Sequence, residues 1–214
     1  MAETVRGREV TIHFDGSRCI HSRNCVLHHP DVFVPNVKGE WIHPDAAPAD
    51  EVIRIGQMCP SGAIRVERTD GQPVASSNLP PVVNMVFVRE NGPLAIEAEL
   101  LLRGQPYDSV RATLCRCGHS ANKPFCDGAH VAAGFTATGE PAAKDTPALE
   151  VRNGPVDLQP QPNGPLKVVG NLEIVSGTGR TVNKVRQVFL CRCGHSQNKP
   201  YCDGSHKAAG FVAE

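Results

Sequence analysis

Three cysteines and a histidine recur at one spacing, twice, in this chain. Residues 115–135 read CRCGHSANKPFCDGAHVAAGF and residues 191–211 read CRCGHSQNKPYCDGSHKAAGF, and both carry C-x-C-x8-C-x3-H. No helical or strand period demands such a set, whereas a pair of soft-metal or iron–sulfur centres does. Two copies of a metal loop therefore constrain the fold before any strand is assigned.

The cysteine count supports this. The nine cysteines fall into three groups of three: Cys19, Cys25 and Cys59; Cys115, Cys117 and Cys126; Cys191, Cys193 and Cys202. An odd number cannot be fully paired as disulfides, and three centres leave no thiol spare. The 22 basic and 22 acidic side chains cancel, which removes the field that nucleic acid or an anionic membrane surface would need. The opening residues MAETVRGREVTIHFDG carry no apolar core of signal-peptide length, and no run of about eighteen apolar residues follows. The expectation is a cytoplasmic protein with no membrane and no nucleic-acid partner.

Alternation in Glu9–Phe14 predicts a strand, and ADEVIRIGQM (Ala49–Met58) predicts a helix with Val52, Ile53, Ile55 and Met58 on one face. Pro60 stops that helix beyond Cys59, and AIRVER (Ala63–Arg68) predicts a closing strand. Thr69–Pro81 reads as a linker. Beyond it the repeat is longer than its cysteines. Asn91-Gly92-Pro93-Leu94 and Asn163-Gly164-Pro165-Leu166 precede the two clusters, and strand-like runs lie between. The copies differ in spacing by four residues, which a hairpin loop around Gly177–Arg180 absorbs. Each copy, at about 55–65 residues, has a thin core, so a metal staple and mutual packing are expected.

Within each cluster, the C-x-C thiolates (Cys115 and Cys117; Cys191 and Cys193) are close enough to share one iron of a binuclear centre. The third cysteine and the histidine (Cys126 and His130; Cys202 and His206) stand one helical turn apart, so both can face a second iron. Asp127 and Asp203 are placed to cap a short helix carrying the histidine. A structural zinc site is the bland alternative, since three cysteines and a histidine also suit zinc. His119 and His195 repeat as well but lie in the loop between ligands and read as surface residues or as neighbours of the ligands rather than as ligands.

The pattern C-x-C-x2-S-x3-P-x-C-D-G-(S/A)-H resembles that of the CDGSH iron–sulfur family. It matches at Cys115, Cys117, Ser120, Pro124, Cys126, Asp127, Gly128, Ala129 and His130, and again at Cys191, Cys193, Ser196, Pro200, Cys202, Asp203, Gly204, Ser205 and His206. The resemblance implies two [2Fe–2S] clusters, each on three cysteines and one histidine, and a β-cap fold in which two motif-bearing units pack together. Single-motif members form homodimers, so this chain looks like an internal version and is expected to be a monomer with an internal pseudo-dimer. Ala129 stands where the family name has serine. An oxidised cluster on this ligand set carries one negative charge against two for an all-cysteine cluster. Its potential is therefore expected between plant-type ferredoxins and two-histidine Rieske centres.

Residues 5–69 resemble a divergent mono-cluster ferredoxin domain: Cys19-x5-Cys25-Val26 near the start, Cys59-Pro60-Ser61-Gly62-Ala63 late. Ser22 stands where C-x2-C-x2-C has its middle cysteine, and His21 is beside it. A [3Fe–4S] cluster on Cys19, Cys25 and Cys59, a [4Fe–4S] cluster completed by Ser22, His21 or water, and three metal-free structural cysteines are the alternatives.

The expected class is α+β and β-rich: a small ferredoxin-like domain (1–69), then two CDGSH units (82–138 and 148–214). No dinucleotide fingerprint or nucleophile–base pair appears. The expected function is electron transfer between a reductase and an acceptor, with no substrate site of its own. The alternatives are [2Fe–2S] storage and transfer to apo-proteins, or redox or pH sensing.

Overall fold

The computed structural model describes residues 2–74 and 79–214. The chain divides into two compact units, Met1–Asn78 and Leu79–Glu214. The architecture is α+β and β-rich. Among the described residues no helix is long and apolar enough to cross a membrane.

In the first unit, strands β1 (Ala2–Arg6), β2 (Val10–Asp15) and β3 (Ile64–Arg68) form an antiparallel sheet in that order. β2 alternates as its sequence predicts, with Val10 and Ile12 buried. β1 was not expected: its side chains are largely exposed, so it carries no apolar alternation to read. Helix α1 spans Asn24–His28, and helix α2 occupies Ala49–Met58 as predicted. α2 buries Val52, Ile53 and Ile55 against the sheet. Gly56 makes that contact possible, since a Cβ there would lie 2.8 Å from the Val66 side chain. Met58 departs from the expected face: it lies well round the helix from Val52 and is 42% exposed. The predicted linker begins as a turn after β3, and residues 75–78 of it lie outside the described residues.

The second unit is built on one eight-stranded sheet. The first repeat supplies β4 (Met85–Val88), β5 (Leu94–Glu97), β6 (Glu99–Leu102), the short β7 (Gln105–Pro106) and β8 (Arg111–Leu114). Helix α3 (Ala129–Ala132) follows. The second repeat supplies β9 (Pro155–Pro160), β10 (Leu166–Val175), β11 (Thr181–Leu190) and helix α4 (Ser205–Ala208). Each NGPL segment turns a hairpin, β4 onto β5 and β9 onto β10, both antiparallel.

The repeats then exchange strands. The distal part of β10 pairs in parallel with β4 (Glu173 opposite Met85), and β6 pairs in parallel with β9 (Leu101 opposite Asp157). The displacement along the sequence that carries Met85 onto Asp157 also carries Leu101 onto Glu173. The two exchanges are thus equivalent by a pseudo-twofold. β10 bends where it changes partner: its register shifts between Val169 and Leu172, and Gly170 there has φ +138°. A Cβ on Gly170 would lie 2.5 Å from the Pro155 carbonyl. The four extra residues of the second copy sit in the β10–β11 turn, closed by the Ser176 amide on the Arg180 carbonyl (2.8 Å). One apolar core, including Val86, Leu94, Ile96, Leu158, Leu166 and Ile174, serves both repeats.

The pseudo-axis passes between the metal loops, where Cys117 and Cys193 face each other in an isolated antiparallel bridge. Gly118 and Gly194 follow them at φ +87° and +84°. A Cβ on Gly118 would lie 2.5 Å from the Cys193 carbonyl oxygen, and one on Gly194 would collide with the Cys117 carbonyl.

Gly194→Ala should therefore cost about 2–4 kcal/mol of stability, backbone strain plus collision. Gly179→Ala, at φ +91° but with nothing within 4 Å of its Cβ, should cost about 1 kcal/mol from strain alone. Urea midpoints of the two variants check this; equal shifts would show that the close approach of the loops carries no weight.

Candidate metal centres

Strands β8 and β11 deliver the C-R-C segments. Extended backbone sends alternate side chains to opposite sides, so Cys115 and Cys117 share one side while Arg116 takes the other. The Sγ atoms of Cys115 and Cys117 are 3.7 Å apart, as are those of Cys191 and Cys193. Two thiolates on one tetrahedral metal at about 2.3 Å stand about 3.8 Å apart. The loop then folds back. The Cys115 amide donates to the Pro124 carbonyl (2.8 Å) and the Cys126 amide to the Thr113 carbonyl (2.8 Å), with the same pattern at Cys191 and Cys202. The Lys123–Pro124 and Lys199–Pro200 bonds in these loops are cis. Buried Ser120 and Ser196 hold the turn by donating to the Phe125 and Tyr201 carbonyls (2.6 Å each).

The third cysteine and the histidine meet as their spacing predicts. Cys126 Sγ lies 3.4 Å from His130 Nδ1, and Cys202 Sγ 3.4 Å from His206 Nδ1. A thiolate and an imidazole nitrogen on one tetrahedral metal stand about 3.6 Å apart. Nδ1 is thus the nitrogen turned toward the sulfur. Asp127 caps α3 from one residue before the N-cap position, taking the first amide of the helix. Left-handed Gly128 is the N-cap residue, and Asp127 accepts the Ala129 amide (3.0 Å) and the Ala121 amide (2.8 Å) across the loop. At the second site Asp203 accepts the corresponding Ser205 and Gln197 amides and also the Ser205 hydroxyl (2.6 Å). Ala129 therefore lacks a bond to the carboxylate, not a bond to a cysteine or histidine.

Backbone amides converge on the sulfurs. His119 and Gly128 donate to Cys117 and Cys126, and His195 and Gly204 donate to Cys193 and Cys202, all at 3.4 Å. Such amides favour thiolate charge. The Cys115 and Cys117 sulfurs share a proton, which pulls the Cys115 thiol down to about 6 and drives the Cys117 thiol up. Burial pushes the Cys126 thiol up to about 11 and holds the His130 imidazole below its ordinary value, favouring its neutral form. His119 and His195 are exposed.

Sequence reasoning missed Arg116 and Arg192, each 1% exposed. Arg116 donates to the carbonyls of Gly92 (2.7 Å), Thr138 (3.2 Å), Ala137 (3.3 Å) and Arg89. Arg192 donates to those of Gly164 (2.9 Å), Glu214 (3.0 Å) and Gln161 (2.5 Å). Each guanidinium thus ties the NGPL turn and the segment after the short helix to its metal loop. Burial lowers the Arg116 pKa to about 10, opposed first by the Glu90 carboxylate and then by the charges of Cys191 in the other repeat and Cys117. The arginine recurs between the same cysteines in both copies, and that was the available signal.

In the first unit, Cys19 follows β2, Cys25 lies in α1, and Cys59 ends α2 in extended conformation. All three line a cavity of about 330 Å³ whose other walls include Phe14, Ile20, Val26, Trp41 and Ile55. Burial raises the Cys19 and Cys25 thiols. Ser22, His21 and Ser61 also line the cavity. His21 folds back at φ 52°, placing Nδ1 3.9 Å and its amide 3.4 Å from Cys19 Sγ. Ser61 Oγ lies 3.5 Å from Cys59 Sγ. The structure brings together every cysteine of each expected trio, and a soft-donor set in an apolar cradle fits an iron–sulfur group.

Comparison with known proteins agrees with this geometry. The family model for the iron-binding zinc finger of CDGSH type matches residues 91–131 and 163–207. A divergent 4Fe-4S mono-cluster model matches residues 5–69. The uncharacterized protein YjdI of Escherichia coli strain K12 and that of strain O157:H7 are each 35% identical over 60 residues, covering 28% of this chain and 76% of the relative. With its donors paired as the motif requires, the chain belongs to the CDGSH iron-binding family and carries two CDGSH segments behind an N-terminal divergent 4Fe-4S mono-cluster domain.

Proposed function

We propose that this protein carries electrons through three iron–sulfur centres. Each CDGSH site takes a [2Fe–2S] cluster on Cys115, Cys117, Cys126 and His130, or on Cys191, Cys193, Cys202 and His206. The first unit takes a [3Fe–4S] or [4Fe–4S] cluster on Cys19, Cys25 and Cys59. One observation carries the reading: in both repeats the donors come as two metal-sharing pairs, at 3.7 Å and 3.4 Å. Among the described residues no three histidine, cysteine or carboxylate donors gather around a single ion position. That favours two irons over one zinc.

Bound clusters supply one-electron redox chemistry. The protein's part is to hold the donors, exclude water and compensate charge. Buried Cys115, Cys117, Cys191 and Cys193 keep one end of each site dry, and the amide bonds and the two arginines favour its negative charge. Three segments, 1–69, 82–138 and 148–214, each provide one site. The partners are a reductase and an acceptor protein, and the chain is a carrier rather than an enzyme.

A second reading, storage and transfer of [2Fe–2S] clusters to apo-proteins, rests on the half-exposed histidines. His130 and His206 sit at the accessible end of sites whose C-x-C thiolates are buried. Protonation of such a ligand would open the site from outside.

Anaerobically purified protein should contain about seven or eight irons per chain with matching sulfide, and should give a reduced [2Fe–2S] EPR signal with dithionite. Zinc without sulfide would remove the electron-transfer reading.

Replacing the imidazole by a thiolate in His206→Cys should lower the potential of that site by roughly 0.1–0.3 V and slow cluster loss in acid. Protein-film voltammetry and absorbance decay at low pH test it; an unchanged potential with unchanged decay would exclude His206 as a ligand. Carriage predicts reversible reduction with clusters retained, whereas transfer predicts their stoichiometric appearance in an apo-ferredoxin, abolished by His130→Cys or His206→Cys.

A further inference from the structure

The N-terminal cavity offers three thiolates and several weaker donors, and their positions are not equivalent. His21 is the strongest of the others by chemistry. Its Nδ1, however, lies 3.9 Å from Cys19 Sγ, and its amide 3.4 Å from the same sulfur. Donors on one metal stand about 3.6–3.8 Å apart, while donors on different corners of a cubane stand several ångströms farther from one another, so the His21 separation belongs with the first case. His21 is thus spent on the Cys19 corner, as a hydrogen-bond partner of the sulfur. Ser61 is spent in the same way: its Oγ sits 3.5 Å from Cys59 Sγ and accepts the Ala63 amide at 3.3 Å. For the fourth corner Ser22 remains, on the loop between Cys19 and Cys25. It is half-buried at the cavity wall, with exposed His21 and Arg23 on either side. Its neutral hydroxyl is a poor ligand for iron beside three thiolates.

We propose that Ser22 marks an exchangeable corner of the N-terminal iron–sulfur site, where the iron accepts a small external thiolate or is released. The inference rests on Cys19, Cys25 and Cys59 being iron–sulfur ligands and adds a binding position to that site. In release, a [4Fe–4S]2+ cluster yields a [3Fe–4S]+ cluster, one Fe2+ and one electron. The electron passes to a one-electron oxidant such as ferricyanide, and the bonds broken are those of the corner iron to its three sulfides and to its external ligand. Rebinding needs Fe2+ and a one-electron reductant. The half-buried position beside Ser22 thereby becomes a site for soft, anionic small molecules.

The test uses the full chain, reconstituted anaerobically with iron and sulfide and treated with ferricyanide and EDTA. The near-isotropic EPR signal of an oxidised three-iron cluster should appear in the natural protein. It should disappear again on adding Fe2+ and dithionite. Ser22→Cys, which completes C-x2-C-x2-C, should cut its yield by about tenfold or more. 2-Mercaptoethanol added before the oxidant should protect the corner iron in the natural protein and make no difference in Ser22→Cys. Equal yields in the natural protein and Ser22→Cys would overturn the proposal while leaving the cluster reading intact. Iron and sulfide sufficient only for the two CDGSH sites would overturn both.

Discussion

The structure depends on an exchange of strands. Neither repeat completes a sheet by itself: β4 needs β10 at its outer edge, and β9 needs β6. An exposed edge is a row of unpaired amides and carbonyls, so each repeat covers the other's. This pairing holds the two metal loops at fixed mutual positions, because β8 and β11 run from the shared sheet directly into the first cysteine of each loop. The core, the Cys117–Cys193 bridge and the two glycine contacts follow from that one arrangement. Lys123 over Phe211 (5.9 Å) and Lys199 over Phe135 (6.0 Å) repeat the crossing at the surface.

Charge balance follows the same geometry. Clustered thiolates in a dry environment repel one another, and the chain offsets this with amides and with two buried guanidinium groups. Arg116 and Arg192 cannot shed their charge at ordinary pH; backbone carbonyls take their hydrogen bonds, and the Glu90 carboxylate bears on Arg116 through space. A carbonyl satisfies an N–H group without neutralising it, so positive charge remains to act on the sulfurs, as the coupling of Arg192 to Cys115 and of Arg116 to Cys191 and Cys117 reflects.

Much of this was legible in the sequence because it is periodic or repeated. α2 shows its apolar face, β2 and β3 alternate, and the donor spacing alone foretells the pairs Cys115–Cys117 and Cys126–His130. What was not legible depends on partners distant in sequence. β1 is visible only once β2 is beside it. The strand exchange leaves no trace in composition, because Met85 and Glu173 meet through backbone pairing rather than side-chain pattern. Arg116 looks like any loop cation until the β4–β5 turn and the Ala137–Thr138 segment close over it. Likewise the roles of His21 and Ser22 could not be separated by spacing, since they are adjacent; the left-handed turn at His21 separates them.

The covalent joining of the two repeats has a consequence for how such a molecule changes over generations. In a dimer of identical chains every substitution strikes both halves, so the halves stay alike. Here a single codon alters one half alone. At corresponding positions of the two copies, Ala129 against Ser205, Phe125 against Tyr201 and Val131 against Lys207 are differences of this kind. Only one of the aromatic pair bears a hydroxyl, and Tyr201 uses it to accept from Asn183 at 2.9 Å, with Lys144 resting 3.8 Å from its ring. The inherited frame is symmetric; its two ends are free to specialise.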